Sequence, residues 1–397
     1  MALTDTFSLS NSPFKFKGSC PSVFWASSDD PYTNTRKVLA NIDLLPAKNK
    51  RVLLKPNIGR NVEAKTGITT HPQVVAAAID AFQEAGAEVA VGESPITGVT
   101  MFEAFENSGI SSVTKSRNCR LIDMDERRYV PVELSEGVAI KSLKLCREIV
   151  EHDIIVSIPV MKTHMHTVVT LSVKNMKGCL WRRSKVDLHM LAELSGQREK
   201  PLDIAIADMA SILRPHLSII DGTIGMEGLG PSAGKAKAMG VVLVGVDAFA
   251  TDSIACELMG ISANDVPHLR IGAERGYGVI SPDRIKVSPE NWHDIRSPFA
   301  LPPDKLSVEF SGFTILDQQS CSACQSTLLM FLRRHGKQLR ENVPDEKDII
   351  IAIGKGHKQL PTGTLCVGNC TIRHKKRGLF IPGCPPVASE ILNEYFS

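Results

Sequence analysis

The stretch GVVLVGVDAFATDSIACELMG, Gly240 to Gly260, decides the fold. Its first half is a run of valine and leucine bounded by glycine, the pattern of a short buried strand. Its second half has helical character and is closed by Gly260, a residue suited to a helix C-terminus. Asp247, between the halves, reads as the helix cap, and Asp252 as a charge of its first turns. A strand that feeds directly into a helix is the repeating unit of an α/β protein.

Working outward, the same alternation recurs. RVLLKPN (51–57) is followed by HPQVVAAAIDAFQEAGA (71–87), in which Val75, Ala78, Ile79 and Phe82 share one helical face. EVAVGESP, DIIVSIP and LSIIDG read as further strands. The expectation is a large α/β domain over 1–300, with a mostly parallel sheet and flanking helices. Prolines from Arg296 to Ser307 mark a linker into a smaller α/β unit, 301–397, with strands FTILD and DIIIAIG, a helix starting near Cys324 and a closing helix, PVASEILNEYF. LHMLAELSGQREK (188–200) fits either a helix or a lid.

Composition narrows the function. With 43% hydrophobic and 22% charged residues the chain reads as globular, and its +3 formal charge provides no field directed at nucleic acid. No stretch approaches the roughly 20 apolar residues of a membrane span, and the N-terminus lacks an export pattern, so a cytoplasmic location is expected.

Of ten cysteines, Cys321, Cys324, Cys366, Cys370 and Cys384 fall in the last 77 residues, and the others are scattered as small core residues. CSAC, Cys321 to Cys324, follows a predicted strand and opens a helix, where the dipole favours thiolate. Alone it is compatible with zinc, a redox pair or a cluster. TLCVGNC and FIPGCPP add cysteines at two further strand ends, and in the second, glycine and prolines pin Cys384 in a rigid turn. Four thiolates suit zinc or an iron–sulfur cluster. Structural zinc usually takes two close pairs, whereas here the third and fourth cysteines lie far apart.

Several predicted strands of the large domain end in polar turns. They bring Lys55 and Asn57; Thr69, Thr70 and His71; Glu93 and Ser94; Lys162, Thr163, His164 and His166; and Lys174 and Asn175. Loops at the carboxyl ends of parallel strands line the ligand crevice of such folds. Ammonium, hydroxyl and amide donors gathered there suit a small anion, carboxylate or phosphate. IIDGTIGMEGLGPSAGK (219–235) reads as a strand followed by a glycine-rich loop with Asp221 and Glu227, and lacks the spacing of a P-loop or dinucleotide fingerprint. His164 and His166 either bind a divalent metal with Asp221 or Glu227 or make ordinary hydrogen bonds. If the protein is an enzyme, Lys162, His164, Glu93, Asp221 and Glu227 are the expected catalytic groups, and Lys55, Asn57, Thr163, Lys174 and Asn175 the expected ligand-binding groups. WRRSK (181–185) fits either a clamp for an acid or a solvent-facing stretch, and the second is expected.

The loops VGNC and PGCPP resemble cluster-binding loops of the small subunits of nickel–iron hydrogenases and of the related subunit of respiratory complex I. That resemblance implies a 4Fe-4S cluster on Cys321, Cys324, Cys370 and Cys384, with Cys366 as a less favoured substitute for Cys370. In the large domain LLKPN, TTHPQVV, VGESP, KTHMHTVVTLSVKNMKG, IIDGTIGMEGLGP and VDAFATDSIACELMG, in that order over roughly 50 to 280, resemble the family called domain of unknown function 362. This implies an α/β core often combined with iron–sulfur modules. Many relatives carry repeated Cys-x-x-Cys motifs of ferredoxin type, which this chain lacks. The expected function is an iron–sulfur redox protein with an unknown redox partner protein and a small anionic ligand. The alternatives are a zinc-stabilised ligase, transferase or isomerase acting on a carboxylate or phosphate, and a non-catalytic binding protein.

Overall fold

The computed structural model describes all residues except 1–6, 10, 17, 97, 304–309, 342, 345–346, 387 and 397. The chain forms two compact units, Met1–Gly228 with Gly234–Leu301, and Leu229–Ala233 with Pro302–Ser397. The expected linker spans the step at Leu301, and its residues 304–307 lie outside the described ones.

The first unit contains strands β1 (Ser22–Ser27), β2 (Arg51–Pro56), β3 (Glu88–Glu93), β4 (Arg120–Asp123), β5 (Val130–Glu133), β6 (Ser142–Leu145), β7 (Ile154–Ile158), β8 (Val160–His164), β9 (Val168–Thr170), β10 (Leu217–Glu227), β11 (Lys235–Gly245) and β12 (Lys286–Ser288). Its helices are α1 (Pro31–Leu39), α2 (Pro72–Glu84), α3 (Met101–Asn107), α4 (Ile110–Lys115), α5 (Arg147–Glu151), α6 (Ser172–Asn175), α7 (Ser184–Asp187), α8 (Pro201–Ala210), α9 (Ala248–Leu258) and α10 (Pro267–Glu274). The main sheet runs β12-β1-β11-β10-β7-β2-β3-β4, with β8 pairing beside β10 and β9 pairing with β8. The β10-β7-β2-β3-β4 stretch is parallel, so those strands present their carboxyl ends along one edge.

Alternation along the strands builds a core on each face. Leu53, Ile155, Ile220 and Leu243 join one cluster with Ile206, Met209, Ile254 and Leu269 of the helices. Val52, Leu54, Val156, Ile219 and Val242 join the other with Val75, Ile79, Phe82 and Phe105. Helix α2 shows how the local sequence achieves this. Pro72 opens it, the His71 ring accepts from the Gln73 amide at 3.2 Å, and Val74, Val75, Ala78, Ile79 and Phe82 are buried. Each large apolar side chain buried this way contributes roughly 1.5–3 kcal/mol.

Two features depart from the sequence reading. β11, the strand that leads into α9, is antiparallel to both neighbours, because the connection from β10 is too short to hold a crossover helix. The glycine-rich stretch expected to be a loop continues as strand to Glu227, with a bulge between Gly222 and Ile224. Glycine is required within it: a Cβ on Gly225 would stand 2.7 Å from the Met161 carbonyl oxygen.

The second unit holds β13 (Phe313–Asp317), β14 (Ile349–Ile353), β15 (Leu365–Val367) and β16 (Phe380–Ile381), in that order and all parallel, with helices α11 (Ser322–Arg340) and α12 (Ala388–Phe396). Leu328, Leu329, Phe331, Leu332 and Leu339 form the buried face of α11. Among the described residues no helix is long and apolar enough to cross a membrane.

Candidate functional site

At the carboxyl edge of the first unit, β2 and β3 deliver Lys55 and Glu93 to each other. Their ion pair measures 2.8 Å, and both side chains are buried. Lys55 Nζ also donates to Asn175 Oδ1 at 3.2 Å and to its neighbour Pro56 at 3.1 Å. Glu93 accepts from the amides of Ile58 and Ser94, and Asn175 Nδ2 donates to the Lys55 carbonyl and to Ser157 Oγ. Such a pair survives burial because every polar atom has a partner. It ties β2, β3, β7 and α6 together. Gly178 packs against it so closely that a Cβ would lie 2.6 Å from Lys55 Nζ and 2.7 Å from Glu93 Oε1.

Beside this anchor lies a group of cations. Lys162 is buried with its ammonium on the Ile68 carbonyl at 2.8 Å. Burial, then the charges of Lys174 and Arg60, lower its pKa to about 7, with Glu93 opposing. Burial lowers Lys174 to about 8, partly offset by Asp203. His164, at the end of β8, accepts from the His166 amide at 3.0 Å. The rings of His164 and His166 lie 6.0 Å apart, and those of His166 and His189 5.9 Å. Burial and then the surrounding cations drive His164 and His189 well below the ordinary histidine range. The neutral His189 ring meets Lys177 Nζ at 2.7 Å. Lys177 and His189 were not among the predicted residues. His189 lies in a short 3-10 turn, Leu188–Met190, within the stretch read as helix or lid.

The other predicted residues are placed as follows. Thr163 Oγ1 donates to the Gly228 carbonyl at 2.9 Å. The Asn57 amide donates to Thr70 Oγ1, which in turn donates to the Ile158 carbonyl, while the buried Asn57 Oδ1, Thr69 Oγ1 and Thr170 Oγ1 have no hydrogen-bond partner. Thr69 follows the carbonyl that receives Lys162, and Thr170 pairs with Lys162 across β8 and β9. Asp221 accepts from the amides of His71 and Thr223, and burial raises its pKa. Glu227 is more exposed. It accepts from the Ala300 amide at 3.0 Å and pairs with Lys237 at 3.3 Å, and these contacts, the first foremost, keep its pKa low. In the stretch expected to face solvent, Lys185 is instead buried between Ser94 and Asp125.

In the second unit the parallel sheet explains a gathering of cysteines. Cys321 and Cys324 follow β13, Cys370 follows β15 and Cys384 follows β16, so all emerge at the same carboxyl edge. Gly368, at φ +89°, sits against Cys324: a Cβ there would lie 3.5 Å from Cys324 Sγ and 3.7 Å from the Gly383 carbonyl. The Cys324 thiol is raised well above the ordinary range, first by its hydrogen bond with Cys321, then by burial and by Cys321, Cys370 and Cys384. Burial, Cys384 and Cys321 also raise Cys370, with Lys355 opposing. Cys321, Cys370 and Cys384 thus all stand near enough to act on the Cys324 thiol. Cys366 is apart, buried in β15 with Sγ 3.7 Å from the carbonyls of Thr364 and His374, and only burial raises it. Among the described residues no three His, Cys, Asp or Glu side chains are grouped to hold a single metal ion.

The family described as Domain of unknown function (DUF362) matches residues 52–257. A thylakoid-associated protein of Synechocystis sp. is 28% identical over 251 residues, covering 61% of this chain and 75% of the relative. Among solved structures, the lactate racemase apoprotein of Thermoanaerobacterium thermosaccharolyticum aligns with a TM-score of 0.41 at 12% identity, over 83% of this chain and 68% of the other. A protein from Thermotoga maritima aligns with a TM-score of 0.35 at 16% identity, over 59% and 60%.

Proposed function

The chain belongs to the DUF362 family, and from that premise we propose that it is an iron–sulfur redox protein. Its C-terminal unit holds one 4Fe-4S cluster, and its family domain binds a small carboxylate or phosphate. The observation that carries this reading is the delivery of Cys321, Cys324, Cys370 and Cys384 by three loops to one sheet edge, with the Cys370 and Cys384 loops joined through Asn369 and Gly383. The donor set fits: four thiols at one edge, with Gly368, whose φ of +89° favours glycine, making the turn beside Cys324.

Bound there, the cluster would supply one-electron transfer. The chain's own contribution is to hold the four sulfurs and to keep Cys366 out of the set. In the family domain, Lys162 and Lys174 are buried cations whose burial is offset when an anion neutralises them. The unpartnered hydroxyls of Thr69 and Thr170 can donate to such a ligand. A reducing, cytoplasmic setting, which keeps thiols from joining as disulfides, fits that reading.

Anaerobic purification followed by iron, sulfide and zinc analysis tests the proposal. Iron and sulfide in equal amounts are expected, kept in Cys366→Ser and lost when any one of the four cysteines is replaced by serine. Zinc without sulfide overturns it.

A further inference from the structure

We infer that Lys162 is a nucleophile that forms an imine with a small carbonyl compound whose carboxylate or phosphate rests on Lys174. This rests on the anion-binding part of the proposed function and adds the class of ligand and a covalent step.

The buried lysines Lys55, Lys162, Lys174 and Lys185 of the first unit differ in their partners. Lys55 donates to Glu93, Asn175 and the Pro56 carbonyl, and Lys185 to Ser94, Asp125 and the Leu180 carbonyl. Both are held to a carboxylate by fixed bonds. Lys162 donates only to the neutral Ile68 carbonyl, and among the described residues no carboxylate lies within 4 Å of its nitrogen or of that of Lys174. Two neighbouring ammonium groups buried without a counterion are the arrangement that makes one of them a free amine. Burial and Lys174 accordingly leave Lys162 about half unprotonated at neutral pH, its pKa being about 7.

The surroundings call for a ligand with oxygens. Thr170 stands directly opposite Lys162 in the antiparallel β8–β9 pair, so the two side chains share one face, and Thr69 follows the carbonyl that holds the ammonium. Both threonine hydroxyls are buried without a partner, a state that a bound oxygen relieves. His164, two residues along β8, is on the same face as Lys162. Its Nδ1 accepts the His166 amide, so the neutral ring carries its proton on Nε2. His166 and His189 beyond it are half-buried, which places the solvent end of the site there.

In the step itself the Lys162 amine attacks the carbonyl carbon. The C–N bond forms, the carbonyl C–O bond breaks, and the two amine hydrogens leave with the oxygen as water, His164 relaying a proton from nitrogen to oxygen. A solvent proton then makes the imine an iminium ion, whose charge the ligand's own anion offsets. Nothing is oxidised or reduced.

The test incubates the full chain, purified anaerobically, with pyruvate or dihydroxyacetone phosphate and cyanoborohydride at neutral pH. Mass spectrometry of its peptides then locates the reduced adduct. One adduct per chain is expected, on Lys162, formed at least about tenfold faster than on exposed lysines, whose amines are almost wholly protonated at that pH. The faster of the two compounds tells a carboxylate site from a phosphate site. Excess oxalate or orthophosphate, which lack a reactive carbonyl, should slow the labelling, and Lys174→Met should slow it about tenfold. Lys162→Arg keeps a cation in place and should reduce the total label to that of the exposed lysines. Preferential labelling of Lys162 that neither anion slows keeps the nucleophile and defeats the anion site. Calorimetric binding of oxalate or orthophosphate to the parent without preferential labelling of Lys162 keeps the anion site and defeats the nucleophile. Neither binding nor labelling defeats both.

Discussion

Asp252, on α9, accepts a hydrogen bond from the backbone amide of Ser172 at 2.7 Å through one carboxylate oxygen and from that of Val173 at 2.9 Å through the other. It thus caps α6, the short helix that carries Lys174 and Asn175, from 80 residues away in sequence. Asp252 is fully buried, and burial raises its pKa to about 7.

Between about pH 4 and 7 the folded state therefore binds a proton at Asp252 that the unfolded chain has released. This group's contribution to stability falls as pH rises through that window, by at most about 1.4 kcal/mol per pH unit. Asp252→Asn removes the slope and turns an amide N–H toward a backbone N–H, at a cost of about 1–3 kcal/mol. Urea unfolding at several pH values should show a flatter and lower profile for the variant. An unchanged slope would show that Asp252 is not the titrating group.

Lys162 and Lys174 have the opposite sign. Their folded pKa values, about 7 and about 8, lie below the ordinary 10.5. Above about pH 7 the folded protein has shed protons that the unfolded chain keeps, so stability from these groups rises with pH toward 10.5. Lys162→Met should remove part of that rise, and the double variant with Lys174→Met most of it, in unfolding measured from pH 7 to 10. An anion docked beside the lysines favours their charged forms. Calorimetric titration of the parent with oxalate or orthophosphate at pH 8, in buffers of different ionisation heat, should then show proton uptake that Lys162→Met diminishes.

The architecture was readable from the chain wherever the cause was local. Alternating Val52, Leu53 and Leu54, and the α2 face of Val75, Ile79 and Phe82, carry their burial in their own spacing. The β10 glycines read as a loop because their reason, close passage of the Met161 carbonyl, comes from another strand. Asp252 read as an ordinary first-turn charge, since nothing near it in sequence announces a partner at Ser172. Lys55, Glu93 and Asn175 were recognisable as polar residues at strand ends, but their mutual pairing depends on the parallel register of β2, β3 and β7. Lys177 and His189 gave no local sign, both standing in short 3-10 turns that carry no periodicity of their own.

In the C-terminal unit Asn369 joins two of the cysteine loops. Its amide donates to the Gly383 carbonyl at 2.8 Å, and the Gly383 amide donates back to Asn369 Oδ1 at 2.9 Å. The pair fixes Cys370 and Cys384, each the next residue along, in one relative placement. Asn369→Ala keeps the first bond and loses the second, at a cost of about 0.5–1.5 kcal/mol. The Gly383 amide should then exchange with solvent faster, a readout that needs no metal. With the cluster in place, the same variant should bleach faster under an iron chelator. Asn369→Asp retains an acceptor for Gly383 and should restore both properties toward the parent. Its added negative charge near the four thiolates should also lower the reduction potential, because charge close to a cluster disfavours the reduced state. Unaltered exchange at Gly383 in Asn369→Ala would mean that the loops are held together by other contacts.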